Sequence, residues 1–112
     1  MFGNLGQLAG LLKNAGQIKE NMKAAAQRLK EARIQGESGG GQVQATVDGS
    51  GEPVSLRIAP ELIAAGDREL VEELVCASFR DALHRSREVM QKEFSQAAGG
   101  LDLSSMMGML GQ

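Results

Sequence analysis

With 112 residues, three Phe and neither Trp nor Tyr, the chain is one small domain whose core must be packed by Ala, Val, Leu, Ile and Met. A formal charge of −2 excludes a uniformly basic nucleic-acid binder, and the single cysteine, Cys76, excludes an intrachain disulfide and fits a reducing, cytoplasmic compartment. No apolar run approaches the ~20 residues of a membrane span, and the opening Met1-Phe2-Gly3-Asn4-Leu5-Gly6 is too short and glycine-broken to read as a leader.

The charge is unevenly spread. Residues 7–33 carry Lys13, Lys19, Lys23, Arg28, Lys30 and Arg33 against Glu20 and Glu31, a local +4 that leaves −6 for the remainder. Through the same segment Leu8, Leu11, Ala15, Ile18, Met22, Ala25, Leu29 and Ala32 recur at alternating spacings of three and four. This seam of four heptads predicts a long N-terminal helix. Three of the eight seam residues are Ala, and Lys19, Arg28 and Arg33 flank the seam without matching acids. A parallel coiled coil with itself is therefore disfavoured, and the seam is expected to pack on a sheet or on a partner's surface.

Three strands are predicted next. Arg33 to Glu37 is a short one, joined through Ser38-Gly39-Gly40-Gly41 to the alternating Gln42-Val43-Gln44-Ala45-Thr46-Val47-Asp48. Asp48-Gly49-Ser50-Gly51 is a hairpin turn leading to Pro53-Val54-Ser55-Leu56-Arg57-Ile58. The product is an antiparallel β-meander.

Pro60 to Ile63 reads as one helical turn ended at Gly66. Asp67 then caps a second long helix whose acidic start (Glu69, Glu72, Glu73) suits the helix dipole. Its apolar side is Val71, Leu74, Val75, Phe79, Ala82, Leu83, Ser86, Val89 and Met90, and Gly99-Gly100 ends it. The fold class is α+β, with a single domain over residues 1–98 and a flexible Gly/Met-rich tail over 99–112. With so few large side chains the apolar faces exceed what one copy can cover, so a homodimer is expected.

Several chemistries can be set aside. Gly36-Glu37-Ser38-Gly39-Gly40 matches the G-x-S-x-G pattern of serine hydrolases, but that elbow needs a strand before it and a helix after it. Here a strand follows and the one histidine, His84, lies mid-helix, so Ser38 reads as a loop residue. Cys76 has no second cysteine or nearby histidine to build a metal site and reads as a small helix-packing residue. No phosphate-cradling glycine motif is present. Neither enzyme, metal, cofactor nor small-molecule substrate is expected.

The basic residues carry more. At ~100° per residue Lys19, Lys23 and Lys30 fall within ~40° of one another on one shoulder of the seam, with Arg33 nearby. Arg80, His84 and Arg87 stand at i, i+4 and i+7 opposite the apolar side of the second helix. On the residues alone such stripes are more often solvated faces than contacts.

The order of parts resembles the YbaB/EbfC family of bacterial nucleoid-associated proteins. Met1-Phe2-Gly3 and the Gly36-Glu37-Ser38-Gly39 turn carry the resemblance, with Val43, Val47, Gly49, Val54, Ile58 and Pro60-Glu61-Leu62. Leu74-Val75 and Phe79 to Ala82 extend it into the second helix. The resemblance implies a helix–sheet–helix homodimer that binds double-stranded DNA in the nucleoid and influences gene expression. It favours phosphate contacts by Lys19, Lys23, Lys30 and Arg33, with Arg80 and Arg87 as a second set. The alternative is a protein-interaction adaptor or small chaperone-like dimer, using the seam and the Met-rich tail to hold apolar partners.

Overall fold

The computed structural model of the chain describes residues 2–99. The order is α1 (Phe2–Glu31), β1 (Ile34–Ser38), β2 (Val43–Val47), β3 (Pro53–Ile58), α2 (Pro60–Ala64) and α3 (Arg68–Ala97). The α+β class and the helix–meander–helix order match the sequence reading. α1 begins earlier than the seam suggests and runs through Gly3 and Gly6. Once a helix is nucleated, each further residue adds a hydrogen bond, so isolated glycines weaken it without ending it. The tail beyond Gly99, expected to be flexible, lies outside the described residues.

The strands pair antiparallel in the order β1-β2-β3. Gly36 lies opposite Ala45, which lies opposite Leu56; Ser38, Val43 and Ile58 form the next row. One face of the sheet is therefore small and apolar. The other carries Gln35, Gln44, Ser55 and Arg57, with Gln35 donating to Gln44 at 3.1 Å. The β1–β2 connection needs backbone angles that side chains resist, and Gly39, Gly40 and Gly41 supply them, all with positive φ.

α3 lies across β1 and β2 on the apolar face. Ala45, Val47 and Ala82 form the centre of the core, with Ile34, Phe79 and Leu83 packed around them. The approach is so close that a methyl group on Gly36 would overlap the Ala82 nitrogen and the Ser78 carbonyl oxygen. Gly36 is thus a mid-strand contact rather than part of a turn. Ser78 and Ser86, both buried, meet the sheet beside Ala82; their hydroxyls donate to the Val75 and Leu83 carbonyls at 2.8 and 2.9 Å, leaving neither unsatisfied. Ser38 is also tied down, donating to the Leu74 carbonyl at 2.5 Å, so it anchors the end of β1 to α3 rather than sitting in a free loop. Asp67 caps α3 as expected, accepting from the Leu70 amide at 3.1 Å. Cys76 departs from its reading: it is exposed, and Ser78 takes the packing position.

Of the two surfaces expected for the α1 seam, a sheet or a partner's, the sheet is not the one that buries Ala25 and Leu29: these pack at the C-terminal end of α3. Arg28 pairs with Glu93 at 2.9 Å and Asn21 donates to the Ala97 carbonyl at 3.3 Å, which fixes the two helices antiparallel. Ala25 and Leu29 are buried there. Leu29 also receives the β2–β3 turn: the Gly49 amide donates to its carbonyl at 2.7 Å, and a side chain on Gly49 would come within 2.6–2.8 Å of Leu29. Before Asn14, α1 runs on past the end of α3. The molecule is accordingly long, 75 × 31 × 16 Å, with a radius of gyration of 20.6 Å against about 13 Å for a compact domain of this length.

The turn that meets Leu29 is held by Asp48. Its Oδ1 accepts from the Ser50 hydroxyl at 2.6 Å and from the Ser50 and Glu52 amides at 2.9 and 3.0 Å. The Ser50 hydroxyl, followed by the Glu52 amide, holds the Asp48 carboxyl below its ordinary range.

Two outcomes follow from these contacts. Gly36→Ala should lower unfolding stability by about 2 kcal/mol or more, because backbone faces backbone and neither side can yield; Gly10→Ala, in open space on α1, should raise it slightly. Urea titrations of the two variants check this. Because the folded pKa of Asp48 lies below the unfolded value of about 3.9, the stabilisation it gives is complete above that pH and lost as pH falls through the folded pKa. The stability gap between the wild type and Asp48→Asn, measured by denaturation, should therefore shrink from about pH 6 to about pH 3.

Candidate nucleic-acid interface

The uninterrupted helix α1 displays its cations in a row. Lys19, Lys23 and Lys30 are all exposed, turned away from the face that buries Ala25 and Leu29. Among the described residues none of the three pairs with a carboxylate within 4.0 Å. Arg33, just past the helix, has a second task. Its Nη1 donates to the Lys30 and Ala32 carbonyls at 3.0 and 2.9 Å, closing the C-terminal end of α1 where the helix dipole favours a cation.

The α3 set is placed differently. Ala82 faces the sheet, so Arg80 and Arg87 lie ~160° and ~140° around the helix from it and point outward. Both line a shallow groove with Ala77, Asp81 and His84. That surface is mixed in charge. Asp81 accepts from the Glu37 amide at 3.0 Å and from Arg85 at 3.3 Å; the amide, then Arg85, hold its carboxyl below its ordinary range, so it stays anionic. His84 pairs with Glu88 at 3.1 Å when protonated, and Glu72 and Glu73 line the neighbouring groove with Arg80 and Cys76.

The fold does not merge the two sets. The Arg28–Glu93 pair marks where α1 crosses α3, and Arg80 and Arg87 lie thirteen and six residues, ~20 Å and ~9 Å, back along the helix from that level. Lys92, next to Glu93, and Lys13, on α1 before Asn14, are further exposed cations. Neither belonged to a stripe legible in the sequence. Lys92 shares no helical row with Arg80 and Arg87.

The hydrolase pattern finds no supporting geometry. Ser38 is bonded at the level of Leu74, ten residues or ~15 Å along α3 from His84. Among the described residues no group of three or more His, Cys, Asp or Glu side chains is arranged to hold a metal ion, and no helix is long and apolar enough to cross a membrane.

Comparisons with known proteins place the chain in a family. Over 103 residues the chain is 41% identical to a nucleoid-associated protein of Neisseria meningitidis serogroup C, covering 90% of this chain and 92% of that one. It is 34% identical over 109 residues to a nucleoid-associated protein of Rhodococcus jostii, covering 97% and 96%. Among solved structures, an uncharacterised protein from Helicobacter pylori superposes with a TM-score of 0.60 at 28% identity, over 74% of this chain and 84% of that one. A family model described as the YbaB/EbfC DNA-binding family matches residues 4–101, and the chain belongs to that family.

Proposed function

We propose that the protein is a nucleoid-associated, non-enzymatic DNA-binding protein that grips double-stranded DNA as a homodimer, chiefly through backbone phosphates. The observation that carries this reading is the lysine row on α1, exposed and without carboxylate partners among the described residues. Family membership supplies the ligand. Lysine ammonium groups on a helix act as point charges that neutralise phosphates and release counterions without reading bases. The acidic whole is compatible with this, because charges beyond the ~8 Å Debye length are largely screened at physiological salt. Arg80 and Arg87, flanked by acids, form the weaker second set. Any preference among duplexes then rests on DNA shape, and effects on nucleoid organisation and gene expression follow from occupancy.

Dimerisation is supported by what α3 leaves open. Leu56 and Ile58 share the sheet face that α3 covers at Ala45 and Val43, yet α3 stops at β2. Val54 and Leu56 are 46% and 40% exposed, and Ile63 on α2 and Leu70 at the start of α3 are exposed as well. β3 is also an edge strand with free backbone groups. The same surface on a second copy is the covering that a two-fold dimer supplies.

Light scattering at micromolar concentration should give a dimer. Leu56→Asp should give a folded monomer, since Leu56 is not needed inside one copy. A wild-type monomer would overturn the homodimeric grip.

Replacing Lys19, Lys23 and Lys30 by Ala should preserve helicity. It should weaken binding to all duplexes alike and reduce the salt slope by about 0.9 per lost contact. Gel shifts or anisotropy titrations at two salt concentrations read both. Arg80→Ala/Arg87→Ala should cause a smaller loss. Unchanged binding by the lysine variant would make the row a solvated face and reopen the adaptor reading.

A further inference from the structure

The sheet has two edges, and they are finished differently. On β1 the Glu37 amide points away from β2 and donates to Asp81 Oδ2 at 3.0 Å. Backbone groups alternate in direction along an antiparallel strand. Ile34, Gly36 and Ser38 therefore bond toward β2, while Gln35 and Glu37 face outward. A strand of five residues thus offers two outward positions, and Asp81 takes the donor of one. On β3 the Ala59 amide, just past the strand, donates to the Gln42 carbonyl at 2.8 Å. By the same alternation Ser55 and Arg57 face β2, and Leu56 and Ile58 face outward. Among the described residues no side chain bonds the backbone of either. One edge is capped and the other is open.

The cap follows from the close approach at Gly36. With the backbone of α3 at Ser78 and Ala82 seated against β1, the side chain of Asp81 reaches the strand's outer side. Its second oxygen accepts from Arg85 Nε at 3.3 Å, one turn further along α3, which holds the carboxylate in place. A strand adding to β1 would have to bring a carbonyl oxygen to the Glu37 amide. Asp81 already supplies an oxygen there, and its negative charge repels the incoming carbonyl. Charged side chains placed at an edge are one way in which natural sheets resist further pairing.

We infer that Asp81 is an edge guard: it closes β1 to strand addition, so that association is confined to the β3 side and ends at two copies. The number two rests on the dimer proposed above; the guard itself lies within one chain. With β3 covered by a second copy, a dimer still carries a β1 edge on each subunit. Unguarded, these edges would join dimer to dimer in an open-ended series. The guard matters most on DNA, where bound copies are held at high effective concentration.

Two measurements on the full chain, without DNA, test the guard. In the wild type, hydrogen exchange corrected for intrinsic rates should find the Glu37 amide roughly tenfold slower than that of Gln35, its neighbour on the same edge. Equal rates would overturn the inference with no substitution made, so the test stands even where a variant fails to fold. Asp81→Ala, with helicity checked by circular dichroism, should grow by light scattering beyond the wild-type mass between micromolar and millimolar concentration. Adding Glu37→Pro should stop that growth, because it removes the outward amide and leaves the bonds to β2 intact; proline is tolerated on an edge strand. Asp81→Ala held at the wild-type mass, or growth that Glu37→Pro fails to suppress, would overturn the guard. A wild-type monomer whose Asp81→Ala variant still grows, and stops with Glu37→Pro, would sink the dimer reading and uphold the guard.

Discussion

At Gly36 the backbone of β1 meets the backbone of α3 at Ser78 and Ala82 with no room for a methyl group between them. Most of the architecture depends on that approach. It requires small residues on both sides, and Ser78, Ala82 and Ser86 on the helix answer Gly36 and Ala45 on the sheet. It also brings α3 down over β1 and β2, leaving the apolar face of β3 uncovered. A core built this way buries little area per contact, which is why a chain with three Phe is suited to finding further burial in a second copy. The Gly49–Leu29 contact repeats the device at the sheet's other end, where it sets α1 against the β2–β3 turn.

From that seating the charge distribution acquires its meaning. Several cations are engaged in structure: Arg28 with Glu93, Arg85 with Asp81, Arg68 with Glu72, and Arg33 on the last carbonyls of α1. The exposed surface pairs among these are each worth about 1 kcal/mol or less, so they position side chains more than they stabilise the fold. The lysines of α1 are left facing solvent on a helix that extends beyond the rest of the molecule. An overall negative charge and a local cationic row can then coexist, because the acids clustered at the start of α3, Asp67, Glu69, Glu72 and Glu73, lie most of a helix length from the row.

Much of this was legible in the residues. Period-two alternation gave β2 and β3, the heptad seam gave α1, and Asp67 marked the start of α3. These signals are local, fixed by backbone period and capping chemistry. Gly36 was read both within a short strand, which holds, and as the start of a turn, which does not, since a sequence does not say whether a glycine is kept for its φ or for the space beside it. Ser38 and Cys76 were misjudged for a similar reason: whether a small side chain is bonded, buried or exposed depends on what crosses over it. The candidate site was half legible. Helical arithmetic found Lys19, Lys23 and Lys30, whereas the capping role of Arg33 needed the folded chain.

The sequence by itself therefore determined the elements, their order and the cationic row, because each is written within a few turns of helix or one hairpin. Tertiary structure alone decided that α1 lies on the end of α3 and against the β2–β3 turn rather than across the sheet, and that α3 leaves β3 open. Those outcomes depend on how closely two backbones approach at Gly36 and Gly49, a distance set between residues tens of positions apart and carried by no local pattern.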